Sequence, residues 1–345
     1  AVAALVVNGS TAVDTVTYPG PPPEKIAKPS PFPPDSDPRG EVAIGVTTNA
    51  GARNIAEPWE AAQLNQVNDF ERAIRAHVDI IMWFSDWESG EVDRRQLDAV
   101  AARGSVPQIT WEPWDGTLDR YKPQPEYSMS SIASGDHDEY IRRWADDLRA
   151  FGGPVLLRFA QEMNVPGTGY PWAQPDQNTP AEYVAAWRHI HDIFESRGAT
   201  NVRWVWSPLA SFLTVDYYPG SRYVDVIGLS GLHGGSAPPW NGWRSFETIV
   251  GDEPRQVETI APGKPVQIAE VAPAVGAGSK AERVTTMFRT LEAHPEIRSV
   301  IWFNAPKETN WRIQSSRGAM KAFSEEMKKP RYGNVPFSAA DPVRR

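Results

Sequence analysis

From Glu41 onward, short runs of β-branched and aromatic residues alternate with longer stretches whose apolar positions recur every three to four residues. The runs are Val42–Val46, Val78–Phe84, Val106–Trp111, Val155–Phe159, Val202–Trp206, Val224–Leu229, Pro265–Ala269 and Ser299–Phe303. Runs this short and this apolar predict buried strands. Between them the period changes. Pro58 to Ala76 carries Trp59, Leu64, Val67, Phe70 and Ile74 on one helical face. Another helix is predicted to open at Thr179-Pro180, with Glu182 completing the start signal, and to stop at Arg197-Gly198. Asp136–Phe151 and Ser279–His294 read as two more. Eight strands with intervening helices predict a single (β/α)8 TIM barrel, an α/β fold, over residues 41–330. A doubly wound open sheet would need a Gly-rich phosphate loop after the first strand, and none follows.

Outside the barrel, residues 1–40 form an arm and tether, and 331–345 a C-terminal tail. The arm begins with AVAALVV, an apolar run too short to span a bilayer. Nine of the 20 residues from Pro19 to Pro38 are proline, so that segment is expected to be extended rather than packed. A stiff tether after a short apolar start suggests secretion or display at the cell surface.

Net charge is −8 with no basic cluster, which argues against nucleic acid or an anionic membrane as the partner. The absence of cysteine excludes disulfides and thiolate metal sites. The six histidines are scattered and form no HExxH, so no catalytic metal or other cofactor is implied. A monomer is assumed. Tryptophan is abundant: the 14 residues are roughly three times an average share. Sugar-binding clefts favour such flat faces with a polar edge.

Barrel enzymes carry their chemistry at the C-terminal ends of the strands. Those ends offer Asn49, then Asp86-Trp87, Trp111-Glu112, Gln161-Glu162-Met163-Asn164, Trp206-Ser207, Ser230 to His233, Glu270 and Trp302-Asn304. Carboxylates among tryptophans suit glycosidic bond hydrolysis, in which one acid protonates the leaving oxygen while the other attacks or activates water. Glu162 and Glu270, on strands four and seven, are the pair that can face each other across the mouth. A retaining enzyme sets such a pair about 5–5.5 Å apart.

The stretch LLRFAQEMN (156–164) followed by GYPW (169–172) resembles the fourth-strand signature of glycoside hydrolase family 26, R-x-x-H-E-M-N with a Trp-containing loop behind it. NVRWVWSP (201–208), YPGSRYVDVIGLSG (218–231), KPVQIAE (264–270) and IWFN…WRI (301–313) resemble that family's fifth to eighth strands in order. The resemblance implies a clan A barrel that cleaves β-linked polysaccharide internally with retention. β-Mannan and mixed-linkage β-1,3-1,4-glucan are the leading substrates. It further implies Glu162 as acid/base, Glu270 as nucleophile and Arg158 as the group that orients the nucleophile. Trp172 and Trp311 become expected stacking platforms, and Trp302 the floor for the sugar at the cleaved bond. Gln161, Asn164, Trp111, Glu112, Trp87 and His233 complete the expected substrate-binding or supporting set.

Two positions depart from the family pattern. The family's His before the acid/base is Gln161 here, and the sixth strand ends in Leu229-Ser230-Gly231-Leu232-His233 without the usual Asp and Tyr. Both bear on which sugar is chosen. A non-catalytic polysaccharide-binding barrel and a hydrolase that processes the cell's own exopolysaccharide remain as alternatives.

Overall fold

The computed structural model describes residues 41–48, 59–119, 121–165, 169–173, 178–209, 215–232, 246–250, 253–273, 279–307 and 309–333. The arm, the Pro-rich tether, Asn49, His233 and residues 334–345 lie outside the described residues.

Eight parallel strands close into a barrel in sequence order. They are β1 (Ala43–Thr47), β2 (Ile80–Asp86), β3 (Val106–Glu112), β4 (Val155–Phe159), β5 (Val202–Trp206), β6 (Val226–Ser230), β7 (Val266–Val271) and β8 (Ile297–Phe303). The four helices legible in the pattern are α1 (Trp59–Ile74), α4 (Asp138–Phe151), α5 (Pro180–Ser196) and α8 (Lys280–Ala293). Shorter ones, α2 (Arg94–Ala102), α3 (Met129–Ser134), α6 (Phe246–Val250), α7 (Glu253–Ile260) and α9 (Arg317–Glu326), complete the outer layer among the described residues. The start of α5 shows why the local signal was strong. Thr179 accepts from the Glu182 N–H while the Glu182 carboxylate accepts from the Thr179 N–H, so two otherwise orphaned donors are satisfied.

Strand alternation sorts the residues into two faces. Val42, Ile44, Val46, Ile109, Trp111, Leu157, Phe159, Ile227, Val300 and Trp302 face the helices and belong to the large core. Ala43, Ile80, Met82, Val106, Leu156, Val205, Val226 and Ile301 face inward and plug the lower lumen. Above the plug, Gln108 and Gln267 exchange two side-chain hydrogen bonds at 2.8 and 2.9 Å, and Gln267 donates a third to Ser299 at 3.1 Å. Above this amide layer the lumen carries Arg158 and the carboxyls of Glu112 and Glu270, all buried. The barrel's packing continues past α9: Val42 N–H bonds the Arg331 carbonyl at 2.8 Å, and Tyr332 is fully buried.

Candidate active site

The inward face of β4 carries Leu156 and then Arg158, whose side chain is completely buried. Its guanidinium donates to Glu270 Oε1 at 2.6 Å and to Ser230 Oγ at 2.8 Å, with Thr110 Oγ1 at 3.5 Å. A buried ion pair of this kind is costly to break because the surviving charge has no water to turn to, typically about 3–5 kcal/mol.

Glu270 reaches this position through a β-bulge. Val266 and Ile268 face the helices and Gln267 the lumen, so strict alternation would send Glu270 outward. Instead Leu229 pairs with Ile268 while the next residue, Ser230, pairs with Glu270. On the other side Ile268 pairs with Val300, and Val271 with Trp302. The β6 pairing identifies Ala269 as the extra residue and the β8 pairing agrees that one is extra there, and the bulge turns Glu270 toward Arg158.

Glu162 sits in the turn after β4. Ala160 and Glu162 have φ of 43° and 56°, left-handed values that non-glycine residues adopt at a cost of order 1–3 kcal/mol each. The turn is held from several sides. Ala160 N–H bonds the Trp111 carbonyl at 3.1 Å and Glu162 N–H the Ser207 carbonyl at 2.8 Å. The Trp172 indole donates to the Gln161 carbonyl at 2.7 Å, and the Gln161 amide donates to Glu112 Oε1 at 2.6 Å. Glu162 itself is half-buried. Burial raises its pKa first, and the negative charge of Glu270 raises it further; Arg158, the Ser230 hydroxyl and Lys307 pull the other way. Ser230 therefore accepts from Arg158 and also bears on the proton of Glu162, so it touches on both halves of the site.

Glu112 ends β3 on the same inward face as Thr110 and Gln108. Burial pushes its carboxyl up to about 7, with the charge of Asp86 adding to the rise and Gln161 and Lys307 opposing it.

The structure thus brings Arg158, Gln161, Glu162, Glu112 and Glu270 together. Of the other expected residues that are described, Trp172 and Asn164 brace the turn from behind, and Trp87, Trp111, Trp302 and Trp311 pack away from it. Trp87 and Trp111 pack at 4.8 Å, tilted by 37°, within a cluster that includes Tyr140, Trp144 and Phe159, between the strands and α4. Trp302 packs on Phe323 of α9 at 5.5 Å. Asn164 clamps the turn to the β5 loop through two bonds with Leu209, at 3.1 and 2.9 Å. Trp172 is 1% exposed, with one face covered by Tyr170 at 4.5 Å. Trp311 is fully buried beside Phe303, and Lys280 Nζ fixes its loop by donating to the carbonyls of Trp311 (3.1 Å) and Arg312 (2.7 Å). Thr110 is the site residue that sequence reasoning passed over, and Ser230 was read only as a strand end without a role. The signal for Thr110 was its place two residues before Glu112, in phase with it. On α5, His191, Asp192 and Glu195 approach one another, but Arg222 lies 2.8 Å from Glu195 and 3.8 Å from Asp192.

A (β/α)8 barrel with electrostatically coupled glutamates at the ends of strands four and seven has the architecture of a barrel glycoside hydrolase. Sequence comparison gives the family. The model of glycosyl hydrolase family 26 matches residues 108–277, from β3 past the end of β7. The chain belongs to that family. It is 34% identical over 286 residues to endoglucanase H of Acetivibrio thermocellus, covering 80% of this chain and 30% of that protein. It is 34% identical over 125 residues to a mannan endo-1,4-beta-mannosidase of Bacillus subtilis, covering 33% of each. The chain thus spans no more than about a third of these relatives' lengths. Among solved structures, the modular endo-beta-1,4-mannanase of Cellulomonas fimi superposes with a TM-score of 0.64 at 16% identity, covering 88% of this chain and 74% of that one. The GH26 beta-mannanase of Bacteroides ovatus gives 0.61 at 16% identity, covering 87% and 93%. At such identity these structures speak to the fold alone.

Proposed function

We propose that this protein is a retaining endo-β-glycanase acting on a β-linked polysaccharide, with Glu162 as acid/base and Glu270 as nucleophile. The observation that supports the reading is a Glu270 carboxylate held by the buried Arg158 beside Glu162, whose proton the charge of Glu270 helps to retain. In the first step Glu270 attacks the anomeric carbon while Glu162 passes its proton to the departing glycosidic oxygen. Arg158 holds the attacking carboxylate in place and balances its charge. Once Glu270 is esterified its charge is gone, and with it one of the causes that hold the proton on Glu162. Glu162 can then take a proton from water as that water attacks the anomeric carbon and expels the Glu270 carboxylate, and two inversions at that carbon give retention.

Glucan is favoured over mannan as the backbone. The relative named an endoglucanase matches along 80% of this chain, whereas the relatives named mannosidases match 26–33% of it. Mixed-linkage β-1,3-1,4-glucan is the form proposed. Secretion or display at the cell surface is part of the proposal, since an intact extracellular polysaccharide does not cross a membrane.

The test is reducing-end release from mixed-linkage glucan, cellulose, mannan, galactomannan and xylan, beside Glu162→Ala and Glu270→Ala. Release from mixed-linkage glucan, lost in both variants while the fold survives, is the expected result. Release that persists without Glu270 would overturn the assignment.

A further inference from the structure

We infer that Glu112 is a positioning residue for the acid/base: it sets the Glu162 carboxyl by anchoring the side chain of Gln161. This rests on the proposed roles of Glu162 and Glu270 and adds a third carboxyl to the working site. Gln161 is the middle residue of the left-handed turn, flanked by Ala160 and Glu162, and is 1% exposed. Its carbonyl is fixed by Trp172 and its amide by Glu112 at 2.6 Å. Ala160 and Glu162 are held by bonds to backbone carbonyls and from the Tyr183 hydroxyl. Glu112 supplies a short side-chain bond from another strand, at 2.6 Å.

Glu112 comes from β3 and the turn from β4, so the bond ties the acid/base turn to a neighbouring strand rather than to itself. A turn in this conformation relaxes when an anchor is removed. The group it would displace is Glu162, whereas Glu270 is held separately, on β7, by Arg158. The pair also gives Gln161 a purpose. An amide is a permanent, non-titrating donor to a buried carboxylate, which an imidazole is not. The charged groups facing Glu112 are Asp86 at the end of β2 and Lys307 after β8, and Lys307 acts on Glu162 as well.

A positioning role predicts a loss that depends on the leaving group. A sugar alkoxide needs the proton from Glu162; a 2,4-dinitrophenolate does not. The experiment compares kcat/KM, which reports the first bond cleavage, for a mixed-linkage glucan oligosaccharide and a 2,4-dinitrophenyl β-cellobioside. In Glu112→Ala the oligosaccharide value is expected to fall about 100-fold, the scale of general acid catalysis, with the aryl value within about 5-fold of wild type. Glu112→Gln, whose amide oxygen still accepts from Gln161, is expected to recover most of that loss. Gln161→Leu removes the same bond from the other side and is expected to show the same split, should Glu112→Ala not fold. Equal losses on both substrates would overturn the positioning role and leave the proposed function standing. A wild type that cleaves neither substrate would overturn both.

Discussion

Replacing Glu112 by glutamine should change how the stability of this barrel depends on pH, and the sign follows from the burial of that carboxyl. In the unfolded chain Glu112 loses its proton around 4.5, whereas in the fold it keeps it to about 7. Between those values the native state holds more protons than the unfolded one, so stability falls as pH rises. The penalty is absent below 4.5 and fully present above 7, where the gap amounts to about 3 kcal/mol. Some of it is already incurred at pH 5, which leaves about 2–3 kcal/mol between pH 5 and pH 8. Glutamine does not titrate. Urea unfolding of wild type and Glu112→Gln at both pH values isolates the difference, because any pH-independent cost of the substitution cancels. The variant is expected to gain about 2–3 kcal/mol relative to wild type on going from pH 5 to pH 8. A difference that stays constant with pH would refute the claim that the fold holds this carboxyl protonated toward neutrality.

Three further outcomes follow from the same geometry. Arg158→Met should destabilise the fold by about 3–5 kcal/mol, while Arg158→Met/Glu270→Gln should recover a large part of that, since the cost is a buried charge left alone; additive losses in urea unfolding would contradict the pairing. Ser230→Ala removes a hydroxyl that lowers the pKa of Glu162, so the alkaline limb of the kcat/KM profile should move to higher pH; a shift to lower pH would count against it. Deleting Ala269 removes the bulge residue and should return Glu270 to the helix-facing side. Hydrolysis should then fall to background, and retained activity would show that the bulge does not aim the nucleophile.

The number and order of strands were legible because each is a short apolar run between turn signals. The helical layer was legible only in its longer members. α2 spans nine residues and α6 five, too few to establish a period in the sequence. Glu162 and Glu270 could be found by reading strand ends, but the route by which Glu270 enters the lumen could not. Alternation from Val266 and Ile268 points it outward, and the extra residue that reverses this is an unremarkable alanine. The tryptophans show the opposite case. Their chemistry suits sugars, but Trp111 runs in phase with Ile109, and Trp302 with Val300, both on the helix side. Strand phase, rather than residue type, decided where they went. The Glu112–Gln161 bond joins positions 49 apart in sequence and was invisible until β3 and β4 were laid side by side.

The most direct measurement is covalent trapping. An activated 2-deoxy-2-fluoro cellobioside slows both steps by opposing positive charge at the anomeric carbon, while its good leaving group lets the first proceed. Mass spectrometry of the digested protein should then find one fluorosugar on the peptide carrying Glu270, and none in Glu270→Ala. A sugar attached to a different residue, or full hydrolysis by Glu270→Ala, would contradict the assignment of the nucleophile.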